Sequence, residues 1–188
     1  MKHLLKNRAA LSTVVTTLII LVVSVLLAGV VTYFAINVVS TRVQEESLNL
    51  RYQHVWFNSS TGANPTSEAA VLVVNTGGRD VVFDNIAVRG QTCAWTNVYY
   101  NVTATPITTD LTFTSPLAIG NQTGAGGSFN YTLATITNPV TLKSGYTMIL
   151  YIKTPDSISV NDVGLTVAMT IFTAQATYYK ETNVEAVS

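Results

Sequence analysis

Ala9–Thr41 reads AALSTVVTTLIILVVSVLLAGVVTYFAINVVST, thirty-three residues without one Asp, Glu, Lys, Arg or His. A cleaved secretory h-region is shorter, at about 7–15 residues. A single bilayer crossing needs about 20. As a helix the run would reach about 50 Å, against about 30 Å of hydrocarbon. A helix apolar on every side has to be buried in lipid, among other helices, or in each in turn. Its Val, Ile and Thr residues have only modest helix propensity in water. Apolar surroundings enforce the helix, because unpaired backbone groups cost several kcal/mol there. No proline interrupts the run, and Gly29 is its one glycine. It holds about twenty large apolar side chains, whose removal from water is worth about 30 kcal/mol or more gross.

Working outward, the leader Met1-Lys2-His3-Leu4-Leu5-Lys6-Asn7-Arg8 is basic, and the first acid is Glu45. By the positive-inside rule the N-terminus stays cytoplasmic and the body is exported. On the other side, Val39, Val43, Glu46 and Leu50 follow steps of 4, 3 and 4. That spacing predicts a helix over residues 10–50 whose last turns are amphipathic, with Arg42, Glu45 and Glu46 available for local pairs.

The remaining residues, 51–188, suffice for one ordinary domain with its own core. Charged residues are 11% of the chain, against about 25% in a typical soluble domain. The polar surface is therefore mostly Thr, Asn, Ser and Gly. Net charge is zero, and setting aside Lys2, Lys6 and Arg8 leaves an acidic excess with no basic patch for nucleic acid. Cys93 is the one cysteine, so no internal disulfide forms and the domain relies on packing. A buried free thiol is the expected state of Cys93.

From residue 50 the pattern turns to short strands between turn clusters. Strands are expected at 51–57, 69–75 and 80–89, the last with Val82, Ile86 and Val88 on one face. Further strands are expected at 93–100 and 129–136. Tyr146, Met148, Leu150 and Ile152 alternate on a strong strand, and Val163, Leu165, Val167, Met169 and Ile171 on another. Residues 177–180 read as the return arm of a last hairpin. Residues 103–127 are Thr- and Gly-rich with weak strand signal. Seven or so strands without a helical period between them predict an antiparallel, immunoglobulin-like β-sandwich after the helix, an α+β chain.

The junction Lys6-Asn7-Arg8-Ala9-Ala10-Leu11-Ser12-Thr13-Val14-Val15 resembles the class III signal of archaeal type IV pilins. The unit Val73-Val74-Asn75-Thr76-Gly77-Gly78-Arg79-Asp80-Val81-Val82 is similar to the strand–Asn-x-Gly turn–strand unit of their heads. Lys143-Ser144-Gly145 stands where those pilins often carry Pro-Gly. The resemblance implies a leader of residues 1–9 that a prepilin peptidase removes between Ala9 and Ala10, with Lys6 and Arg8 supplying the basic recognition. It implies a homopolymer whose N-terminal helices form the filament core and whose heads, residues 51–188, lie outside. A membrane assembly platform and its ATPase are implied partners, and the cytoplasmic membrane is the location before assembly. The fifth residue of the implied mature chain is Val14 rather than the Glu common in bacterial pilins, which favours the archaeal branch. A type IV pilin for surface adhesion, the motility-filament subunit archaellin, and a surface-anchored module that never polymerises are all compatible with this junction.

Four sequons lie beyond the helix, at Asn58, Asn101, Asn121 and Asn130. The first three are expected in loops or at strand ends, where an N-glycan acceptor must be reachable. His3 and His54 do not pair with each other or with Cys93 at metal-ligand spacing. His54 reads as a lone surface or interface residue. Gly124-Ala125-Gly126-Gly127 lacks the Lys and helix of a phosphate loop. Asp156 and Asp162 read as a solvated turn rather than a calcium loop. Trp56, Trp95, Tyr99, Tyr100, Tyr178 and Tyr179 read as core or subunit interface. No catalytic residue, cofactor or metal is expected, and the chain reads as a structural protein rather than an enzyme.

Overall fold

The computed structural model describes residues 2–43, 45–60, 62, 66–123, 130–136, 139–155 and 157–187, with side chains described at 12–41 and over most of the rest beyond 45. The chain divides into two compact units, Met1–Val43 and Gln44–Ser188. The first is one helix, α1 (Lys2–Val43). The second is almost entirely β-structure, so the α+β class holds.

Eleven strands run through the described residues of the second unit: β1 (Leu48–Asn58), β2 (Ser67–Asn75), β3 (Val81–Val88), β4 (Gln91–Thr92), β5 (Val98–Thr103), β6 (Gly120–Thr123), β7 (Asn130–Thr135), β8 (Thr141–Leu142), β9 (Thr147–Lys153), β10 (Thr166–Thr173) and β11 (Thr177–Val187). They form one hydrogen-bonded path, β4-β3-β10-β11-β1-β2-β9-β5-β7-β6, with β8 also on β3. Pairing is antiparallel except where β1 meets β11 in parallel, Val55 opposite Val184 through Asn58 opposite Val187. Val81, Phe83 and Ile86 of β3 and Met169 and Ile171 of β10 share one buried cluster with Val71 and Val73 of β2 and Met148, Leu150 and Ile152 of β9. These strands stand far apart along the path. They meet in one core because the sheet curls, as right-handed twist accumulated over many strands requires.

The helix ends earlier than its spacing predicts. Glu46 and Leu50 satisfy the helical steps, but with Leu48 between them they satisfy a period of two as well, and the strand wins. Leu48 is buried and Leu50 packs on the inner core, while β1 pairs with β2 from Leu48 opposite Asn75. The helix of residues 10–50 is thus corrected to one ending at Val43.

The third strand also departs from expectation. Val81, Phe83, Ile86 and Val88 point inward, and Val82 is exposed. A bulge between Phe83 and Asn85 slips the register against β10, so inward residues change from odd to even numbers. At the other end of the chain, Val163 and Leu165 precede β10 and are exposed. β11 is longer than the expected return arm and extends to close the path against β1.

A second buried cluster lies on the opposite face of β1, β2 and β9. Trp56, Ala70, Leu72, Leu133, Ile149 and Tyr151 meet Leu111 and Leu117 there. The latter two come from residues 104–119, which contain no strand. This strap is the Thr-rich stretch with weak strand signal. It explains why β2 and β9 are buried on both faces and why their sequences run almost continuously apolar.

Candidate assembly helix and polar clusters of the β domain

Ser12–Thr41 of α1 is long and apolar enough to cross a membrane. Its large side chains are exposed along the whole length, among them Leu18, Leu21, Leu26, Leu27, Tyr33, Phe34 and Val39. The hydroxyls interspersed with them are turned back onto the helix. Thr16, Ser24 and Thr32 donate to the carbonyls of Ser12, Ile20 and Ala28 at 2.7–2.9 Å. Thr17, Ser40 and Thr41 donate to Val14, Ile36 and Asn37 at 2.9 Å. Such back-bonding satisfies each O–H internally. The hydroxyls of these Ser and Thr residues therefore add little polar surface to the helix, and Asn37 is its exposed amide. What remains outward can partition into lipid or pack against other apolar helices.

Lys6, Arg8, Ala9 and Ala10 lie within α1, with their backbone helical. A peptidase acting between Ala9 and Ala10 has to open that turn locally. Asn58 closes β1, and its Oδ1 accepts the Ser60 N–H at 2.9 Å, an Asx turn at a chain reversal. Asn101 is in the middle of β5 rather than in a loop, and its Nδ2 donates to the Thr132 carbonyl at 2.7 Å. Asn121 and Asn130 lie on the paired strands β6 and β7, where their side chains fall outside those described. The Gly124–Gly127 stretch and Asp156 also lie outside the described residues. Cys93 is half-buried against the inner core rather than fully buried. Asp162 caps a short 3-10 turn with Ser159 and pairs with Arg89. Ser159 hydrogen bonds, before the guanidinium of Arg89, hold its carboxyl below the usual range.

The structure brings together the two turn segments that the sequence singled out. Asn75 is buried. Its Oδ1 accepts the Gly77 N–H at 3.0 Å, and its Nδ2 donates to the carbonyls of Arg79 and Leu142 at 2.8 and 3.0 Å. Ser144 donates its hydroxyl to the Gly77 carbonyl at 2.6 Å, and the Gly145 N–H donates to Asn75. The first of these turns holds the start of the β domain, and the second braces the first. Thr76 and Gly77 donate to the Ser47 carbonyl, and Gly78 to that of Glu45. A Cβ on Gly77 would stand 2.6 Å from the Ser47 nitrogen and 2.7 Å from the Glu45 oxygen. The glycine is required by backbone approach rather than by its dihedral angle.

A third cluster was not legible from sequence. β1 carries a bulge between Arg51 and His54, with Tyr52 at φ 50°. Leu48 and Leu50 face the inner core before it, and Val55 and Phe57 after it. The slip places His54 and Trp56 on the outer face. His54 is far from alone. Its Nε2 lies 2.9 Å from Asp110 Oδ1 and its Nδ1 3.1 Å from Glu185 Oε1. Its ring stacks on Trp56 at 5.1 Å between centroids, and Trp56 Nε1 donates to Glu185 Oε2 at 3.1 Å. Burial pulls the imidazole pKa down, but the hydrogen bonds and charges of Asp110 and Glu185 outweigh it and raise it above the ordinary value. Beside this cluster Glu68 is fully buried. Burial pushes its carboxyl up to about 8 despite the hydrogen bond from the Thr114 N–H. The partners of His54 lie 56 and 131 residues away, beyond any local pattern.

Tyr99 packs on the outer core, and Trp95, Tyr100 and Tyr178 pack on the inner one, while Tyr179 is exposed. Among the described residues no group of three or more His, Cys, Asp or Glu could hold a metal ion.

No protein-family model matches the chain, and no curated protein does. Among solved structures, similarity reaches a family 123 glycoside hydrolase from Clostridium perfringens at 7% identity and a TM-score of 0.33. It covers 76% of this chain, which spans about a quarter of the hydrolase's length, 27%. The expectation that the chain is not an enzyme is corrected on this finding, since a matched structure is a hydrolase, and the exclusion is withdrawn. A likeness this distant carries no argument for hydrolysis either.

Proposed function

We propose that this chain is a structural subunit of an archaeal type IV pilus that polymerises through α1 into a surface filament for adhesion. The observation that carries the reading is α1 itself. It is an apolar helix longer than one bilayer crossing, with aliphatic groups exposed on all sides and its hydroxyls bonded internally. The junction Lys6-Asn7-Arg8-Ala9-Ala10 supports a cut that leaves this helix at the new N-terminus. In this reading the helix rests in the cytoplasmic membrane before assembly. Moving it from lipid into a helical bundle gains only packing, because lipid tails are as apolar as Leu. An assembly ATPase and its platform then supply the energy of extraction. The β domain is the outward head, of sandwich type, with β3 and β10 opposed to β2 and β9 across the inner core. Asn58, at a strand end, is the best placed glycan acceptor of the two sequons whose side chains are described.

The experiment is to shear surface material from native cells and determine the N-terminal sequence and intact mass of this protein in it. A start at Ala10 in filamentous material is the expected result, with mass excess reporting glycans. Protein confined to membranes and starting at Met1 contradicts the reading. Processed protein that never enters filaments points instead to a surface-anchored module. Loss of swimming rather than attachment in cells lacking the protein assigns it to the motility filament.

A further inference from the structure

The strap of residues 104–119 crosses the outer face of β1, β2 and β9 without joining the sheet. Its Leu111, Phe113 and Leu117 pack with Trp56, Leu72 and Ile149. At least four polar contacts tether it. The hydroxyls of Tyr52 and Tyr151 donate to the carbonyls of Thr108 and Thr112 at 2.9 and 3.0 Å. The other two, His54 to Asp110 and the Thr114 N–H to Glu68 Oε1, involve groups that change protonation.

The geometry fixes the protonation the seated strap favours. The His54 tether needs the imidazolium, whereas the Thr114 N–H can donate to either form of Glu68, and it is burial without a cation that disfavours the anion. His54 presents both ring nitrogens to carboxylates, Asp110 on the strap and Glu185 on β11. A neutral imidazole has one N–H and one lone pair. One of the two contacts would then set a lone pair against an anion, so both are satisfied only in the imidazolium. Glu68 is fully buried, and its Oε2 has no partner among the described residues. Facing it are Trp56 on β1, opposite in register, Lys153 on β9, also opposite in register, and Thr114 on the strap. His54 lies next along the same face, bringing Asp110 and Glu185. No cation among the described residues is at ion-pair distance from Glu68. An ionised Glu68 would be a buried, uncompensated charge, which is strongly disfavoured.

We propose that residues 104–119 form a proton-locked cover, seated over the outer core while His54 is an imidazolium and Glu68 a neutral acid, and released when both lose their protons to solvent. The release runs in one direction for both groups. With the strap seated each group holds its proton above its ordinary range. The strap supplies Asp110 to His54 and Thr114 to Glu68, so alkaline pH works against the seated form. Opening uncovers Leu72, Ile149 and Tyr151.

The test is hydrogen–deuterium exchange of the full chain in detergent micelles at pH 6 and pH 9, with labelling times scaled for intrinsic exchange. Protection of residues 104–119, relative to β10, is expected to fall at least tenfold at pH 9. Glu68→Gln is expected to reduce the fall at pH 9 to the part that His54 contributes. Asp110→Asn, which leaves the core untouched, is expected to lower protection at pH 6. Equal relative protection of the wild-type strap at both pH values overturns the proposal. So does a tenfold fall that persists in a Glu68→Gln, His54→Gln double variant.

Discussion

Two apolar runs in this chain meet opposite fates. In β2, Ala69 to Val73 is buried on both faces, between the inner core and the strap-covered outer core. In α1, Ser12–Thr41 keeps its side chains exposed. A strand of five or six apolar residues can find partners on both faces within one domain. A helix of thirty cannot, and its stability has to come from outside the chain. The first run therefore encodes a fold and the second an environment.

The largest effect that would separate the two comes from truncating one leucine in each. Leu72→Ala removes a fully buried side chain and is expected to cost about 2–5 kcal/mol. Since a kcal/mol shifts Tm by about 2–4 °C at this size, the β-domain melting temperature should drop by roughly 10 °C. Leu26→Ala in α1 should leave it unchanged. Thermal unfolding of the full chain in detergent, followed by β-sheet circular dichroism, reads both. An equal drop from Leu26→Ala would break the distinction.

Next in size is the pH dependence of the outer core. Glu68 titrates near 8 when folded, well above the ordinary carboxylate range. A folded pKa raised above the unfolded one gives stability that is full below the unfolded value and is lost as pH rises through the folded one. The loss from Glu68 should therefore run from about pH 4.5 to 8, on the order of a few kcal/mol, with His54 adding loss above its unfolded value. Chemical denaturation across this range should find the β domain more stable at pH 5 than at pH 8, and Glu68→Gln should flatten the curve. A maximum near neutrality would contradict this account of the outer core.

Gly77→Ala tests the segment that begins the β domain. With backbone atoms at 2.6 and 2.7 Å from the new Cβ, the Asn75–Gly78 turn and residues 45–47 have to separate. A loss of about 2 kcal/mol is expected, in the range of overpacked sites. Asn75→Ala should match it, since it removes the buried donor to Arg79 and Leu142. The smallest effect concerns modification. Asn58, at a strand end, should carry more glycan than Asn101, whose Nδ2 is engaged by Thr132. Site-resolved peptide masses from native material check this, and equal occupancy would remove the structural distinction.

What could be read in advance follows from the range of each signal. The helix, β2, β9 and β10 were legible because composition and alternation are local. The helix end was not, because Glu46 and Leu50 fit the helical steps as well as a period of two until β2 supplies a partner strand. The phase of β3 was misread at Val82 because the bulge between Phe83 and Asn85 is invisible in alternation alone. The outer core was missed altogether. Its cover is Thr-rich, and only Ile107, Leu111, Phe113 and Leu117 mark it. His54 was seen as solitary because both its partners are distant in sequence and a second bulge, at Tyr52, turns it toward them.

The central claim is that α1 exists for other copies of itself. A photoactivatable benzoyl-phenylalanine at Phe34, an exposed helix position, tests it directly in native cells. Irradiation of sheared surface material should yield a ladder of covalent dimers and higher species, with adducts mapping between α1 segments of different copies. Cross-links to lipid alone, with the protein remaining monomeric, would contradict the claim.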